Sequence, residues 1–195
     1  MKIIQAFPTP VIVDFIEKRV DQLDIPNQKF VNVRNQVAGQ YTTKNQRILK
    51  DYPRVEKIFL EAFKKIPLEY KNDFKITTSW CTRMDKGLYS QYHNHKNTFW
   101  SGVFYPEDSS GSIEFKNPCM SLTSFLLTPN DYNAYNGNGM NISPRKNMVV
   151  FFPSYLEHRV SSHDDEKPRH SLAFNMVPIG DYGDGDSSIY GANIK

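Results

Sequence analysis

No stretch of this chain carries the run of about 18 apolar residues that a membrane-spanning helix needs, and the segment after Met1 lacks the long apolar core of a secretory leader. A soluble, cytoplasmic protein is the expectation. Only two cysteines occur, Cys81 and Cys119, with neither CxxC nor metal-ligand spacing. A disulfide framework and a cysteine metal site are thereby excluded, and both thiols are expected buried or half-buried in a reducing compartment. No repeat at solenoid or propeller period is visible. Charge of one sign is not in excess either: 24 Lys and Arg against 21 Asp and Glu leave a net charge of +3. The basic residues are scattered, which argues against a nucleic-acid face.

What the chain does have is aromatic residues, 13 Phe and 11 Tyr among 195 residues, and these suit short strands packed on a pleated surface. The length fits a single domain over 1–195. Within it, a helical and loop elaboration is expected over 1–72, a β core over 73–178 and a tail over 179–195. Phe7 to Phe15 reads as an entry strand interrupted by Pro8 and Pro10. Residues 27–50 are polar and read as a long loop with partial helix, a candidate lid or specificity element. Val55, Ile58, Phe59, Ala62, Phe63 and Ile66 recur at helical spacing behind Pro53, predicting an amphipathic helix.

From Phe74 the pattern is β. Strands are predicted over Phe74–Met84, Phe99–Tyr105 and Ser121–Thr128. Ser112–Phe115 reads as a return strand after the turn at Glu107–Gly111, and Met148–Phe152 is a continuous apolar run expected to be buried on both faces. Leu172–Val177 closes the set, and after Pro178 a Gly- and Asp-rich surface tail follows. Short strands at this spacing predict a mainly β fold with flanking helices, of jelly-roll type.

The five histidines carry the chemistry. His93 and His95 stand two apart, so an extended backbone projects both from one face, where two imidazoles can share a metal. His158 follows the buried run, and Arg169-His170-Ser171 begins the last core strand 11 residues on. His163 lies in the polar turn SSHDDEKP and is expected to be solvated. His170 should face away from Arg169 and Ser171, and Glu157 away from His158. Asn175, further along the closing strand, either lines the site or is structural. Trp80 and Trp100 either shape a substrate mouth or sit in the core.

His-x-His, a distal His and then Arg-x-Ser resembles the 2-oxoglutarate- and iron(II)-dependent oxygenases, whose fold is a double-stranded β-helix (jelly roll, cupin-like). The likeness is closer to one branch, small oxygenases of bacteria and (cyano)phages. It rests on Phe7-Pro8-Thr9-Pro10, on His93 through Tyr105, on Phe152-Pro153-Ser154 to His158, and on Arg169 through Asn175. The resemblance implies a metal on His93, His95 and His158. It places the distal carboxylate of 2-oxoglutarate on Arg169 and Ser171, with Tyr105 beside it, since a planar guanidinium pairs bidentately with a carboxylate. The implied reaction is a hydroxylation that releases succinate and CO2, with Fe(II) as metal and 2-oxoglutarate as co-substrate. The substrate is a protein side chain or a small molecule, and the oligomeric state is open.

The sequence departs from the wider family where Asp or Glu usually follows the first histidine, because His95 fills that slot. Three neutral imidazoles leave a bound cation its full charge. A second registration pairs His95 with Asn97 in the acid slot, with His93 behind. Two rival readings stand beside the oxygenase: a cupin-type three-histidine metalloenzyme that gives Arg169 no role, and a non-enzymatic β-sandwich binding module with incidental histidines.

Overall fold

The computed structural model describes residues 8–17, 20–32, 40–119, 127–133 and 135–192. Two sheets face each other. The larger contains β1 (Ile12–Phe15), β2 (Phe30–Asn32), β3 (Gln40–Thr43), β4 (Asp73–Met84), β5 (Trp100–Tyr105), β8 (Met148–Pro153), β10 (Arg169–Tyr182) and β11 (Ile189–Ala192). Its order is β1-β8-β5-β10-β4-β3-β2, with β11 on the far end of β10. The smaller contains β6 (Ile113–Lys116), β7 (Gly139–Ile142) and β9 (His158–Val160), in the order β7-β6-β9. Every strand pair is antiparallel. Helix α1 (Pro53–Lys64) lies against the outer face of the larger sheet.

Strand alternation explains why the central strands read as continuous apolar runs. On β8, Val149 and Phe151 join the helix-side core, while Met148, Val150 and Phe152 join the core between the sheets. A strand buried on both faces has no polar side to show. The α1 residues predicted from periodicity meet this outer face. Phe63 packs its ring 5.5 Å from Trp100 and 5.4 Å from Phe151, and Phe59 lies 5.0 Å from Phe174. Gly102 is required beneath Phe174: a Cβ there would overlap the ring. Gly102→Ala is expected to destabilise the fold by about 1–3 kcal/mol, the usual cost of overpacking, seen as a lower urea midpoint at unchanged slope.

Four expectations need correction. Ser112–Phe115 does not return along Phe99–Tyr105. Both edges of β5 are already occupied by β8 and β10, so β6 crosses to the opposite sheet. The polar segment 27–50 holds β2 and β3, which extend the large sheet beyond β4. Their alternation is too short to register as strand, and pairing partners decide the outcome. The closing strand does not end at Val177 either. β10 runs through Pro178 to Tyr182 and turns back into β11. Proline is accommodated because β5 stops pairing at Met176, so no neighbour there needs its N–H. Finally, Cys119 is exposed, while Cys81 is buried and its thiol is pushed up to about 12 by desolvation. The strand predicted over Ser121–Thr128 falls largely outside the described residues, as does Phe7.

Candidate metal and co-substrate site

The inner faces of the two sheets bring three of the predicted residues, His93, His95 and His158, together. His158 opens β9 on the small sheet, and His93 bridges it in antiparallel register. The two exchange both backbone hydrogen bonds, His93 N–H to His158 O at 3.0 Å and the reverse at 2.9 Å. Directly opposed residues of this kind put their side chains on one face. His95 N–H then donates to Ser154 O at 2.9 Å, which carries the extended segment across to the large sheet. The rings of His93 and His158 lie 4.5 Å apart, those of His95 and His158 5.1 Å, and those of His93 and His95 5.4 Å. One ligand-capable atom from each falls within 4.8 Å of the others.

Each imidazole has its Nδ1 occupied by an oxygen. His93 Nδ1 meets Gln91 O at 2.9 Å, His158 Nδ1 meets Leu156 O at 2.8 Å, and His95 Nδ1 meets Asn175 Oδ1 at 2.7 Å. Backbone carbonyls and an amide oxygen have only lone pairs to offer, so Nδ1 carries the hydrogen and Nε2 is left as the free ligand. Asn175 is itself fixed, donating through Nδ2 to Thr78 Oγ1 at 2.9 Å and accepting from Ser101 Oγ at 2.9 Å. Burial holds His158 well below its ordinary range, at about 3, with the neighbouring His93 acting in the same direction. Burial also lowers His95. Imidazoles that resist protonation keep their lone pairs for a cation. The donor set therefore fits a divalent transition metal.

Arg169 and Ser171 start β10 on the same inner face. The guanidinium is 3% exposed, and no carboxylate among the described residues pairs with it. Its Nε donates to Gly111 O at 3.0 Å, and its carbon lies 5.0 Å over the ring of Tyr105. The Tyr105 hydroxyl is fully buried and makes no hydrogen bond. Desolvation pushes that phenol up to about 12, opposed by the Arg169 charge, so it remains a donor. Ser171 Oγ is bonded to Thr82 Oγ1 at 2.6 Å. A buried cation, a phenol and two hydroxyls are thus grouped at the start of β10, a donor set suited to a carboxylate.

Placement of the remaining candidates is mixed. Asn97 is exposed in a left-handed turn at φ 57°, outside the cluster. Trp100 is core, whereas Trp80 is half-buried with its ring 5.6 Å from His95. Glu157 faces outward and pairs with Lys116 at 3.0 Å, as the alternation implies. His170 does point away from Arg169, towards Phe30. His163 contradicts its reading as solvated: it is 1% exposed. A polar sequence context was misleading because the hydroxyls and carbonyls around it are its partners. Thr82 and Ser101 were not singled out from sequence, although Ser101 shares the face of Tyr105 by simple alternation.

Two facing sheets with three converging imidazoles and a buried guanidinium between them fit a metal-binding β-helix protein. A family model described as "Putative 2OG-Fe(II) oxygenase" matches residues 78–175, half of the chain, and the chain belongs to that family of 2-oxoglutarate- and iron-dependent oxygenases. No curated protein matches it. Among solved structures it is similar to HygX from Streptomyces hygroscopicus with nickel, 2-oxoglutarate and hygromycin B bound (TM-score 0.60, 10% identity, covering 87% of this chain and 83% of that one). It is also similar to a prolyl-4-hydroxylase from Pseudomonas putida (0.52, 13%, 86% and 92%). A third likeness is to a prolyl hydroxylase from Trichoplax adhaerens in complex with a hypoxia inducible factor peptide fragment (0.56, 11%, 85% and 82%). Their shared fold is the double-stranded β-helix. Among the described residues, no helix is long and apolar enough to cross a membrane.

Proposed function

We propose that this chain is an iron(II)- and 2-oxoglutarate-dependent dioxygenase, a single catalytic domain that hydroxylates an unactivated C–H bond of a protein side chain or a small molecule. The observation that carries the co-substrate half of this reading is Arg169, a buried guanidinium with no carboxylate partner on the same inner face as the three imidazoles. A cupin-type three-histidine enzyme has no use for such a residue.

His93, His95 and His158 hold the metal through Nε2, and the backbone and Asn175 acceptors behind them fix the tautomer of each. Arg169, with Ser171 and the Tyr105 hydroxyl, binds the distal carboxylate of 2-oxoglutarate. Iron bound here supplies the activation of dioxygen, coupled to oxidative decarboxylation of 2-oxoglutarate to succinate and CO2. The protein's own contribution is position and exclusion of water. Phe115 and Phe152 flank His158 with ring distances of 6.0 and 4.6 Å, closing one side of the metal cluster. Trp80 stands at the half-open side beside His95, where a substrate would lie.

Anaerobic titration with Fe(II) and then 2-oxoglutarate tests this. A visible charge-transfer band that saturates at one equivalent of each is the expected outcome. Iron binding without a 2-oxoglutarate-dependent band would favour the cupin-type enzyme, and no iron binding would remove the metal assignment altogether.

A further inference from the structure

We infer that His163, a buried imidazole outside the metal cluster, is a positioning residue that aims Arg169 at the co-substrate carboxylate. The inference rests on the co-substrate reading given above.

His163 joins two loops. Its Nε2 donates to Lys167 O at 2.7 Å, and its Nδ1 meets Ser110 Oγ at 3.2 Å and Ser109 Oγ at 3.4 Å. Its main chain is tied to a third segment, with N–H to Leu88 O at 3.0 Å and O from Gly87 N–H at 2.7 Å. Other bonds repeat the loop-to-loop connection. Ser110 N–H donates to Asp165 Oδ2 at 2.9 Å, and Asp164 N–H to Ser110 Oγ at 2.9 Å. The loop held in this way ends at Gly111, whose carbonyl accepts Arg169 Nε at 3.0 Å. Gly111 is wedged between the two side chains: a Cβ there would stand 3.2 Å from Arg169 Cδ and 3.4 Å from His163 Cβ.

This geometry matters because a guanidinium is planar. Pinning Nε to Gly111 O sets the plane of the fork and leaves the Nη edge for a carboxylate. The other contacts of Arg169 leave the rotation of the fork less fixed: the guanidinium carbon lies 5.0 Å over the Tyr105 ring, and Nη1 reaches Ser171 Oγ only at 3.4 Å. If the 109–111 loop moves, the fork rotates and bidentate pairing is lost, while the three imidazoles, on other segments, are untouched. His163 thus acts on co-substrate binding through Arg169 and leaves metal binding alone.

The test repeats the anaerobic titration on His163→Leu and His163→Gln, reading iron affinity and 2-oxoglutarate half-saturation separately. Gln offers both roles of the imidazole, an N–H for Lys167 O and a carbonyl oxygen that can accept from the Ser109 and Ser110 hydroxyls. Iron alone should bind all three proteins equally. The 2-oxoglutarate half-saturation should rise about tenfold in the Leu variant and return to within about twofold of wild type in the Gln variant, the scale of one buried hydrogen bond. If the Leu variant does not fold, Ser110→Ala, which removes an exposed hydroxyl, should raise it about threefold on the same grounds. Wild-type half-saturation in the folded variants, or parallel loss of iron and 2-oxoglutarate in Leu and Gln alike, overturns the inference while the co-substrate reading stands. A wild-type protein that shows no 2-oxoglutarate-dependent band overturns that reading and this inference together.

Discussion

Arg169→Met is expected to weaken 2-oxoglutarate binding at least about thirtyfold while leaving the ligand-free protein as stable as wild type, or more stable. The two halves come from one fact, a guanidinium taken out of water with no opposite charge beside it. Desolvating an isolated ion costs several kcal/mol, and removing it in favour of an apolar side chain of similar length recovers much of this. Against that stands the lost bond from Arg169 Nε to Gly111 O, worth about 1–3 kcal/mol once the carbonyl is left without a partner. The net effect on the free protein is therefore near zero or favourable. Co-substrate affinity moves the other way: truncating one member of a buried, hydrogen-bonded charge pair costs about 2–5 kcal/mol, roughly thirtyfold to several-thousandfold in Kd. Thermal midpoints with Fe(II) under argon, with and without 2-oxoglutarate, read both quantities. Wild type should rise on adding 2-oxoglutarate, by mass action on the folded state, and the variant should not. A variant that still responds would mean that a different cation anchors the carboxylate. A variant that melts well below wild type without ligand would make Arg169 a structural residue.

Such a residue is also what made the site legible. The central strands β5 and β8 read as continuous apolar runs, and any sheet buried on both faces would show the same. His93, His95, His158, Arg169 and Ser171 break that pattern at inward-facing positions, and local consistency fails where function intrudes. Their spacing could be read because each pair lies on one strand or on strands directly bridged, so alternation alone decides the face. His163 could not be read in this way. Its burial depends on Ser109, Ser110 and Lys167, brought together by the crossing of two loops, and nothing in SSHDDEKP shows that the turn folds inward. Asn175 is intermediate. Its position on the inner face followed from counting along β10, but its bond to His95 depends on where the 93–95 segment crosses to the large sheet at Ser154, which alternation along β10 does not show.

The fold divides along the same line. α1 and the buried strands were legible because their periodicity extends over enough residues to be unambiguous. β2, β3 and β11 were not, since three or four residues carry too little pattern, and they become strands because β4 and β10 offer free edges. The assignment of β6 to the second sheet is likewise topological: turn residues announce a reversal, and the occupied edges of β5 decide where the chain goes.

The proposed metal site has an acid limit set by its own imidazoles, and His158→Leu should remove both the site and most of the limit. In the unfolded chain an imidazole titrates near about 6.5, whereas in the folded, metal-free protein burial beside His93 keeps that of His158 near 3. Between these values the unfolded state binds a proton that the folded state refuses. Stability conferred by the neutral imidazole is thus fully present above about pH 6.5 and is lost as pH falls towards 3, reaching about 2 kcal/mol by pH 5. His95, also lowered by burial, adds to the slope in the same direction. A bound cation competes with the proton for the same lone pairs, so iron should restore stability in this window. Leucine at 158 keeps apolar contact with Phe115 and Phe152 but can neither titrate nor ligate. Urea unfolding of chelator-treated protein from pH 7.5 to 4.5 should therefore show a clear decline in wild type and a shallower one in the variant. Iron should protect only the wild type, with affinity in the variant down by at least about a hundredfold, the upper end of what loss of a ligand's outer partner already costs. Equal acid slopes in the two proteins would mean that His158 is solvated and charged in the folded state. Iron protection that survives the substitution would place the metal elsewhere.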